Sequence, residues 1–149
     1  MGTKSKDRLR AGLKILGVSR ALESVVRLGL RDHGTTLARF DVMSVLDRYR
    51  DGLIMSQVSA KLRISNGNVT GIIDRLVGDG LVYRDERDGD RRATIVKLTP
   101  EGQRRFAVMA QAHEAWIDNS LSSLSREDVN DLKRILAKII SANETGSSL

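Results

Sequence analysis

Cysteine is absent from the 149 residues of this chain, and histidine occurs only twice. The lack of cysteine excludes disulfides, thiolate zinc sites and cysteine-based redox sensing. The two histidines, His33 and His113, lie far apart in the sequence, and neither has metal-ligand spacing around it. The sequence therefore predicts neither a metal site nor a bound cofactor.

Long apolar runs are also missing. No stretch approaches the roughly 18 residues that a membrane-spanning helix needs. The first residues are basic and lack both the apolar core and the small-residue cleavage site of a signal peptide. We therefore expect a cytoplasmic protein with no membrane partner.

The sequence contains no recognisable catalytic arrangement. Neither histidine has a serine and an acid near it in sequence, and no glycine-rich motif could cradle a phosphate. With 40% hydrophobic and 30% charged residues, the composition is that of an ordinary folded domain. These features predict a protein that is not an enzyme.

Positive charge is concentrated at the start of the chain. The net charge is +6, and residues 1–31 hold eight basic side chains against two acidic ones. The remaining residues carry equal numbers of basic and acidic side chains. Binding of DNA by these residues would therefore depend on where individual polar and basic side chains lie, and not on net charge. The basic first helix is either a solvated outer face or a surface that contacts DNA phosphates or an acidic effector.

Two helices open the chain. Apolar residues at three- to five-residue steps predict an amphipathic helix over residues 7–31, which His33 and Gly34 end. A short apolar helix around Phe40 follows and stops before Gly52. Residues 52–55 are then long enough for a single edge strand only.

A pair of capped helices comes next. Ser56 is predicted to cap a helix that ends near Leu62, and Ser65 to cap a helix over residues 66–79. Gly80 is predicted to end the second helix in the left-handed conformation. The apolar stripe of this helix is predicted to face the core. Its polar residues then face solvent, namely Asn66, Asn68, Thr70, Asp74 and Arg75.

A hairpin and two further helices complete the chain. Residues 81–83 and 94–98 alternate as strands around a turn at residues 88–90, which places Arg91 and Arg92 near its tip. Thr99 and Pro100 are typical of a helix start, and a last helix is predicted to begin at Ser125. The predicted fold is mainly α with a small antiparallel sheet.

This order of elements is that of a winged helix-turn-helix, whose second paired helix enters the DNA major groove. Asn66 and Asn68 can each pair with adenine, while Ser65 and Thr70 suit phosphates or a thymine methyl. At the hairpin tip, Arg91 and Arg92 can enter a narrow minor groove. Taken alone, each feature is more typical of a solvated surface, and only their joint order favours DNA binding.

Two alternatives stay open at this point. The chain could be a winged-helix module that binds proteins, in which case the exposed face of the second paired helix should be apolar rather than amide-rich. It could also be a DNA-binding protein that does not respond to any ligand.

Residues 52–102 resemble the central domain of MarR-type (multiple antibiotic resistance regulator) winged-helix repressors. The family's DRR wing corresponds to Asp90, Arg91 and Arg92, and its LTxxG motif to residues 98–102. The resemblance implies that Arg92 is the minor-groove residue and that Asp90 orients it by a charged hydrogen bond. Arg75 and Arg84 would lie nearer phosphates or structural partners. Gly89 stands where several family wings carry proline, which indicates a looser turn.

The resemblance also implies a homodimer that represses transcription from a pseudo-palindromic operator. Residues 1–35 and 101–149 would supply dimerisation helices, and residues 36–100 the DNA-binding domain. A final helix that is apolar on more than one face agrees with this, since it needs a partner surface. Members of the family often bind a small anionic or aromatic effector. The candidate residues that would line its pocket here are Phe40, Met43, Phe106 and His113. Core packing explains the apolar ones equally well.

Overall fold

The computed structural model describes residues 2–86 and 94–146, which form six helices and three short strands. Two compact units, Met1–Trp116 and Ile117–Leu149, divide the chain. The elements in chain order are α1 Gly2–Asp32, α2 Leu37–Arg48, β1 Leu53–Ile54, α3 Met55–Leu62, α4 Asn66–Gly78, β2 Val82–Glu86, β3 Thr94–Leu98, α5 Pro100–Ser120 and α6 Arg126–Gly146. The predicted fold class, mainly helical with a small antiparallel sheet, is confirmed.

Helix α1 is buried only near its carboxyl end, where Val26 and Leu30 enter the core. It stops at Gly34, whose φ of 72° is left-handed, and the Thr35 amide then bonds to the Leu30 carbonyl at 3.1 Å. In the first half of the helix the predicted apolar stripe is exposed. The first half of α1 therefore contributes little to the core of its own unit.

The core of the first unit lies among α2, α4 and the sheet. Thr36 caps the start of helix α2, and its side-chain oxygen accepts a hydrogen bond from the Arg39 amide at 3.3 Å. Its inner face is fully or almost fully buried and meets the inner face of α4 and the middle of β3. The largest of the fully buried side chains are Leu30, Met43, Leu46, Ile73 and Leu76.

The start of α3 differs from the sequence prediction. The helix begins at Met55, and Ser56 lies exposed in its first turn rather than capping it. The Gln57 side chain instead accepts a hydrogen bond from the Ile54 amide at 3.1 Å. Because β1 pairs with β3 up to Ile54, the chain stays extended until that residue and the helix can start only there.

The turn between α3 and α4 is short and well bonded. Arg63 takes a left-handed φ of 54°, and the Ser59 hydroxyl donates to the Ile64 carbonyl. Ser65 then caps α4 by accepting a hydrogen bond from the Asn68 amide at 3.3 Å, as predicted. The chain thus enters α4 from a fixed position.

Helix α4 ends in a Schellman motif. Gly80 has a φ of 74°, its amide bonds to the Val77 carbonyl, and the Leu81 amide bonds to the Leu76 carbonyl, each at 3.0 Å. The prediction that Gly80 terminates this helix is confirmed. The chain turns directly from α4 into β2.

The three strands pair antiparallel in the order β1-β3-β2. Val82 lies opposite Leu98, and Glu86 lies opposite Thr94, so β2 and β3 form the two sides of the predicted hairpin. Alternate residues of β3 are buried, namely Thr94, Val96 and Leu98. The predicted turn at residues 88–90 lies outside the described residues.

Thr99 joins the end of the sheet to the start of α5. Its hydroxyl donates to the Gly80 carbonyl at 2.7 Å and accepts from the Gly102 amide at 3.0 Å. A Cβ at Gly102 would lie 2.0 Å from the Leu81 carbonyl oxygen, so only glycine allows this approach. The geometry explains why threonine and glycine occur three residues apart in this segment.

The second unit consists mainly of α6, described here by itself. Ser125 and Asp128 form a reciprocal capping box, with both hydrogen bonds at 3.0 Å. Along the helix, one stripe of large apolar side chains is exposed, namely Leu132, Ile135, Ile139 and Ile140.

Candidate DNA-binding surface

Helix α4 presents a polar face to solvent. It packs on α2 and α3 through Val69, Ile73 and Leu76, which are buried. The opposite face is wholly exposed, and it holds the predicted recognition residues Ser65, Asn66, Asn68, Thr70 and Arg75. The structure therefore brings these five residues together on one face and one end of the helix.

The first turn of α4 combines fixed and free polar groups. The Ser65 oxygen is engaged as the cap, and the Thr70 hydroxyl donates to the Asn66 carbonyl at 2.9 Å. Within residues 2–86 and 94–146, no hydrogen bond engages the side-chain amides of Asn66 and Asn68. Each of these amides keeps a donor and an acceptor for an outside partner, as adenine recognition requires.

Two glycines leave this face flat. A Cβ built at Gly67 or Gly71 would meet no atom within 4 Å, so the chain itself does not require glycine there. Neither residue has a left-handed φ. The absent side chains leave open space at the surface through which the helix backbone could approach a flat partner.

Arg84 is held by α4, the predicted recognition helix. Its guanidinium forms an ion pair with the Asp74 carboxylate, which joins β2 to α4. Sequence reasoning left Arg84 open between a phosphate and a structural partner and did not identify Asp74 as its partner. No spacing signal could have done so, because the pair spans two different elements and forms only when the hairpin folds back on α4.

The remaining wing residues lie beyond what the structure describes. Asp90, Arg91 and Arg92 fall in residues 87–93, outside the described part of the chain. What the structure establishes is the base of the wing, formed by β2 and β3 from the Val82–Leu98 pair to the Glu86–Thr94 pair. The hairpin that carries the three residues therefore starts beside α4.

Arg75 is more weakly engaged. Its Nε lies 3.8 Å from an Asp79 carboxylate oxygen, and nearly two thirds of its side chain is exposed. A contact of that length at the surface contributes little to stability. Arg75 thus remains available to a negatively charged partner.

Helix α3 is fixed to the end of α2 by Lys61. Its ammonium donates to the Tyr49 hydroxyl at 3.1 Å and lies 4.1 Å from the centre of the tyrosine ring. The hydrogen bond and charge of Lys61 lower the pKa of Tyr49 below its usual value of 10.0. This contact helps to hold the helix pair that presents α4.

Three of the four predicted ligand-lining residues form a packed cluster. The Phe40 ring lies 5.4 Å from that of Phe106 and 5.1 Å from that of His113. Met43 is fully buried and lines a separate cavity of about 30 Å³ beside Met109. The structure therefore brings the three rings together, and core packing accounts for the apolar members.

Sequence reasoning missed two features of the first unit. Trp116 packs against α1 of its own unit, where a Cβ at Gly29 would lie 2.3 Å from its indole and the His33 ring stands edge-on at 5.8 Å. Asp41 was not singled out, yet it is half-buried and burial raises its pKa above 3.8. Neither feature has a local sequence signal, because both depend on how helices pack.

Residues 2–86 and 94–146 contain neither a membrane-spanning helix nor a cluster of metal-ligating side chains. No helix there is long and apolar enough to cross a membrane. In the same residues no group of three or more histidine and acidic side chains could hold a metal ion.

Comparison with known proteins gives a consistent result. The MarR family profile matches residues 33–93. The transcriptional repressor MdtR of Bacillus subtilis is 26% identical over 144 residues, which cover 95% of this chain and 92% of MdtR. The activatory protein BadR of Rhodopseudomonas palustris is 32% identical over 112 residues, 72% of this chain and 63% of BadR.

Solved structures agree in fold. A MarR family regulator from Silicibacter pomeroyi superposes with a TM-score of 0.79 at 29% identity, covering 95% of this chain and 99% of that one. A mutant MarR from E. coli in complex with operator DNA gives a TM-score of 0.77 at 23% identity, over 89% and 95% of the two chains. The winged helix-turn-helix seen here, the profile match and these relatives show that the chain belongs to the MarR family of DNA-binding transcriptional regulators, which are not enzymes.

Proposed function

We propose that this protein is a homodimeric repressor that binds a pseudo-palindromic operator and is released by a small anionic or aromatic ligand. The observation that carries the DNA-reading part is the exposed, amide-rich face of α4. A protein-binding winged helix would present apolar side chains on that face. Because its proposed partner is genomic DNA, we place the protein in the cytoplasm.

The proposal assigns distinct roles to the residues of the reading head, by which we mean α4 with its cap and the wing. Asn66, Asn68 and Thr70 face base edges in the major groove, and Ser65 and Arg75 contact phosphates. Arg84, bound to Asp74, positions the wing against α4. At the wing tip, Arg92 enters the minor groove, Asp90 orients it, and Arg91 lies beside it.

The dimer part of the proposal depends on exposed apolar surface. The α6 stripe and the first half of α1 both expose large aliphatic side chains, among them Leu9 and Ile140 at about 60%. Surfaces of that kind mark contacts with another chain. We accordingly assign residues 1–35 and 101–149 to dimerisation and residues 36–100 to DNA binding.

The repressor and ligand parts are supported by relatives and by the ring cluster. MdtR, similar over nearly the whole chain, is named a repressor, whereas BadR is named an activatory protein. The full-length match to MdtR favours repression. The proposed ligand lining is Phe40, Met43, Phe106 and His113, which would have to open to admit a ligand because Phe40, Met43 and Phe106 are buried.

The test is selection of binding sites from random duplex DNA, followed by fluorescence anisotropy titration with the selected site. We expect Asn68→Ala to weaken binding by about 1–3 kcal/mol and to relax preference at one position of each half-site. Arg92→Ala should abolish tight binding while the dimer stays intact. Asn119→Ala, an exposed asparagine outside the winged domain, should bind as the wild type does. If Asn68→Ala and Arg92→Ala both bound with unchanged affinity, the assigned reading surface would be wrong.

A further inference from the structure

A cavity of about 240 Å³ lies between α1, α2 and the turn that precedes the recognition helix. Glu23 and Arg27 reach it from α1, Asp41 from α2, Leu62 from the end of α3 and Ile64 from the turn. The ring cluster of Phe40, Phe106 and His113 does not line this cavity. Its size is slightly below the roughly 300 Å³ at which pockets for drug-sized ligands begin, so it suits a small organic molecule.

The charges around the cavity are not balanced. The Arg27 guanidinium donates to the Glu23 carboxylate twice, from Nε at 3.2 Å and from Nη2 at 2.7 Å. Arg27 is therefore already compensated by Glu23. The Asp41 carboxylate accepts no hydrogen bond and forms no ion pair within the described residues.

Burial makes this unpartnered carboxylate costly. Desolvation raises the pKa of Asp41, and the charges of His113 and Arg27 oppose this effect only in part. The negative charge of Glu23 adds a smaller increase. A half-buried carboxylate gains most from a donor that carries a positive charge. The apolar part of the lining, including Leu37 and Leu62, suits a short hydrocarbon body beside that donor.

We propose that this cavity binds a small organic amine, whose ammonium pairs with Asp41 and whose apolar body lies against Leu37, Leu62 and Ile64. The site is distinct from the anionic or aromatic effector site proposed above and has the opposite charge preference. Binding at this site does not depend on the proposed DNA function.

The cavity touches the element that fixes the recognition helix. Ile64 immediately precedes Ser65, the cap of α4, and its carbonyl is held by the Ser59 hydroxyl. An occupant in contact with Ile64 therefore acts on the point where the chain enters α4. This step rests on the proposed function: we infer that bound amine changes the affinity of the protein for DNA, and that bound DNA changes its affinity for the amine by the same factor.

Three molecules of similar shape and different charge test the site on the full chain: benzylamine, benzyl alcohol and benzoate. Ligand-detected NMR and thermal unfolding at pH 7 give the affinities. We expect benzylamine to bind at least tenfold more tightly than the other two. Benzoate binding as tightly as benzylamine would overturn the proposal and identify Arg27 as the ligand-binding group.

Substitutions locate the binding. Asp41→Asn should weaken benzylamine binding by roughly 10- to 100-fold, the range expected for loss of a charge-assisted hydrogen bond. Asp47→Asn, on the same helix but paired with Arg50, should leave it unchanged. Ala38→Leu, at the cavity rim, should also reduce binding while Asp41 remains. Benzylamine affinity equal to wild type in both Asp41→Asn and Ala38→Leu would rule the cavity out.

The link to DNA has a separate readout. Anisotropy titrations with the selected site are repeated with and without saturating benzylamine, in the wild type and in Asp41→Asn. A change of threefold or more in DNA affinity in the wild type alone supports the coupling. Unchanged DNA affinity with benzylamine bound would overturn the coupling, and absence of any DNA binding would overturn the proposed function instead.

Discussion

At the scale of single residues, Asp41 shows what sequence reasoning could not reach. Its neighbours in sequence are ordinary members of a short helix, and nothing in their spacing marks it. Its burial and the charges that surround it come from α1 and α5 as well as from α2. A carboxylate whose environment is made by three helices can be identified only after the helices are packed.

The raised pKa of Asp41 gives a pH-dependent prediction. A carboxyl group that is harder to ionise in the folded state contributes stability below its unfolded pKa, near 3.8, and loses that contribution as pH rises through the folded value. At pH 7 the ionised Asp41 therefore lowers stability. Asp41→Asn should raise the free energy of unfolding at pH 7 by roughly 0.5 kcal/mol.

Denaturant unfolding at two pH values checks this prediction. The difference between Asp41→Asn and wild type should shrink at pH 4, because a carboxyl group with a raised pKa is more protonated there than at pH 7. Asp47→Asn should not raise the stability at pH 7, because Asp47 has Arg50 as a partner. A destabilised Asp41→Asn at pH 7 would show that its carboxylate has a favourable partner in the folded protein.

At the scale of elements, local signals predicted most helix ends and long-range contacts account for the errors. Ser65, Thr99 and Ser125 cap their helices as expected, because a capping side chain bonds to an amide only three residues away. Ser56 does not, since the start of α3 depends on pairing between β1 and β3. The ion pair between Asp74 and Arg84 went unpredicted for the same reason.

Two helical glycines allow a matched prediction at this scale. Gly102→Ala places a Cβ 2.0 Å from the Leu81 carbonyl oxygen and should destabilise the fold by about 1–3 kcal/mol. Gly71→Ala meets open space on α4 and should stabilise it by up to about 1 kcal/mol through helix propensity. Thermal unfolding compares the two. Equal effects would mean that the close approach of Leu81 is not a constraint.

At the scale of the whole molecule, charge and apolar exposure separate along the chain. The net positive charge lies within residues 1–31, almost all of them in α1, whereas residues 32–149 carry equal numbers of basic and acidic side chains. Selectivity in the reading head must therefore come from the placement of individual amides and guanidinium groups. Long-range attraction to DNA, by contrast, would come from the first helix.

The exposed α6 stripe gives a prediction about assembly. We expect the wild type to run in light scattering at about twice the chain mass of 16.5 kDa. The double substitution Ile135→Lys and Ile139→Lys puts two charges on the stripe and should yield a monomer that no longer binds DNA tightly. Lys138→Glu, a charge change away from the stripe, should remain dimeric. A dimeric double variant would place the interface elsewhere.

The hydroxyl of Thr99 has a consequence for how the first unit unfolds. The hydroxyl bonds both to Gly80, which ends α4, and to Gly102 in the first turn of α5. The Thr99 amide bonds to the Leu81 carbonyl, next to the start of β2. These bonds share one residue, so the base of the wing cannot open without releasing the start of α5. In terms of folding cooperativity, the base of the wing and the first turn of α5 form one opening unit.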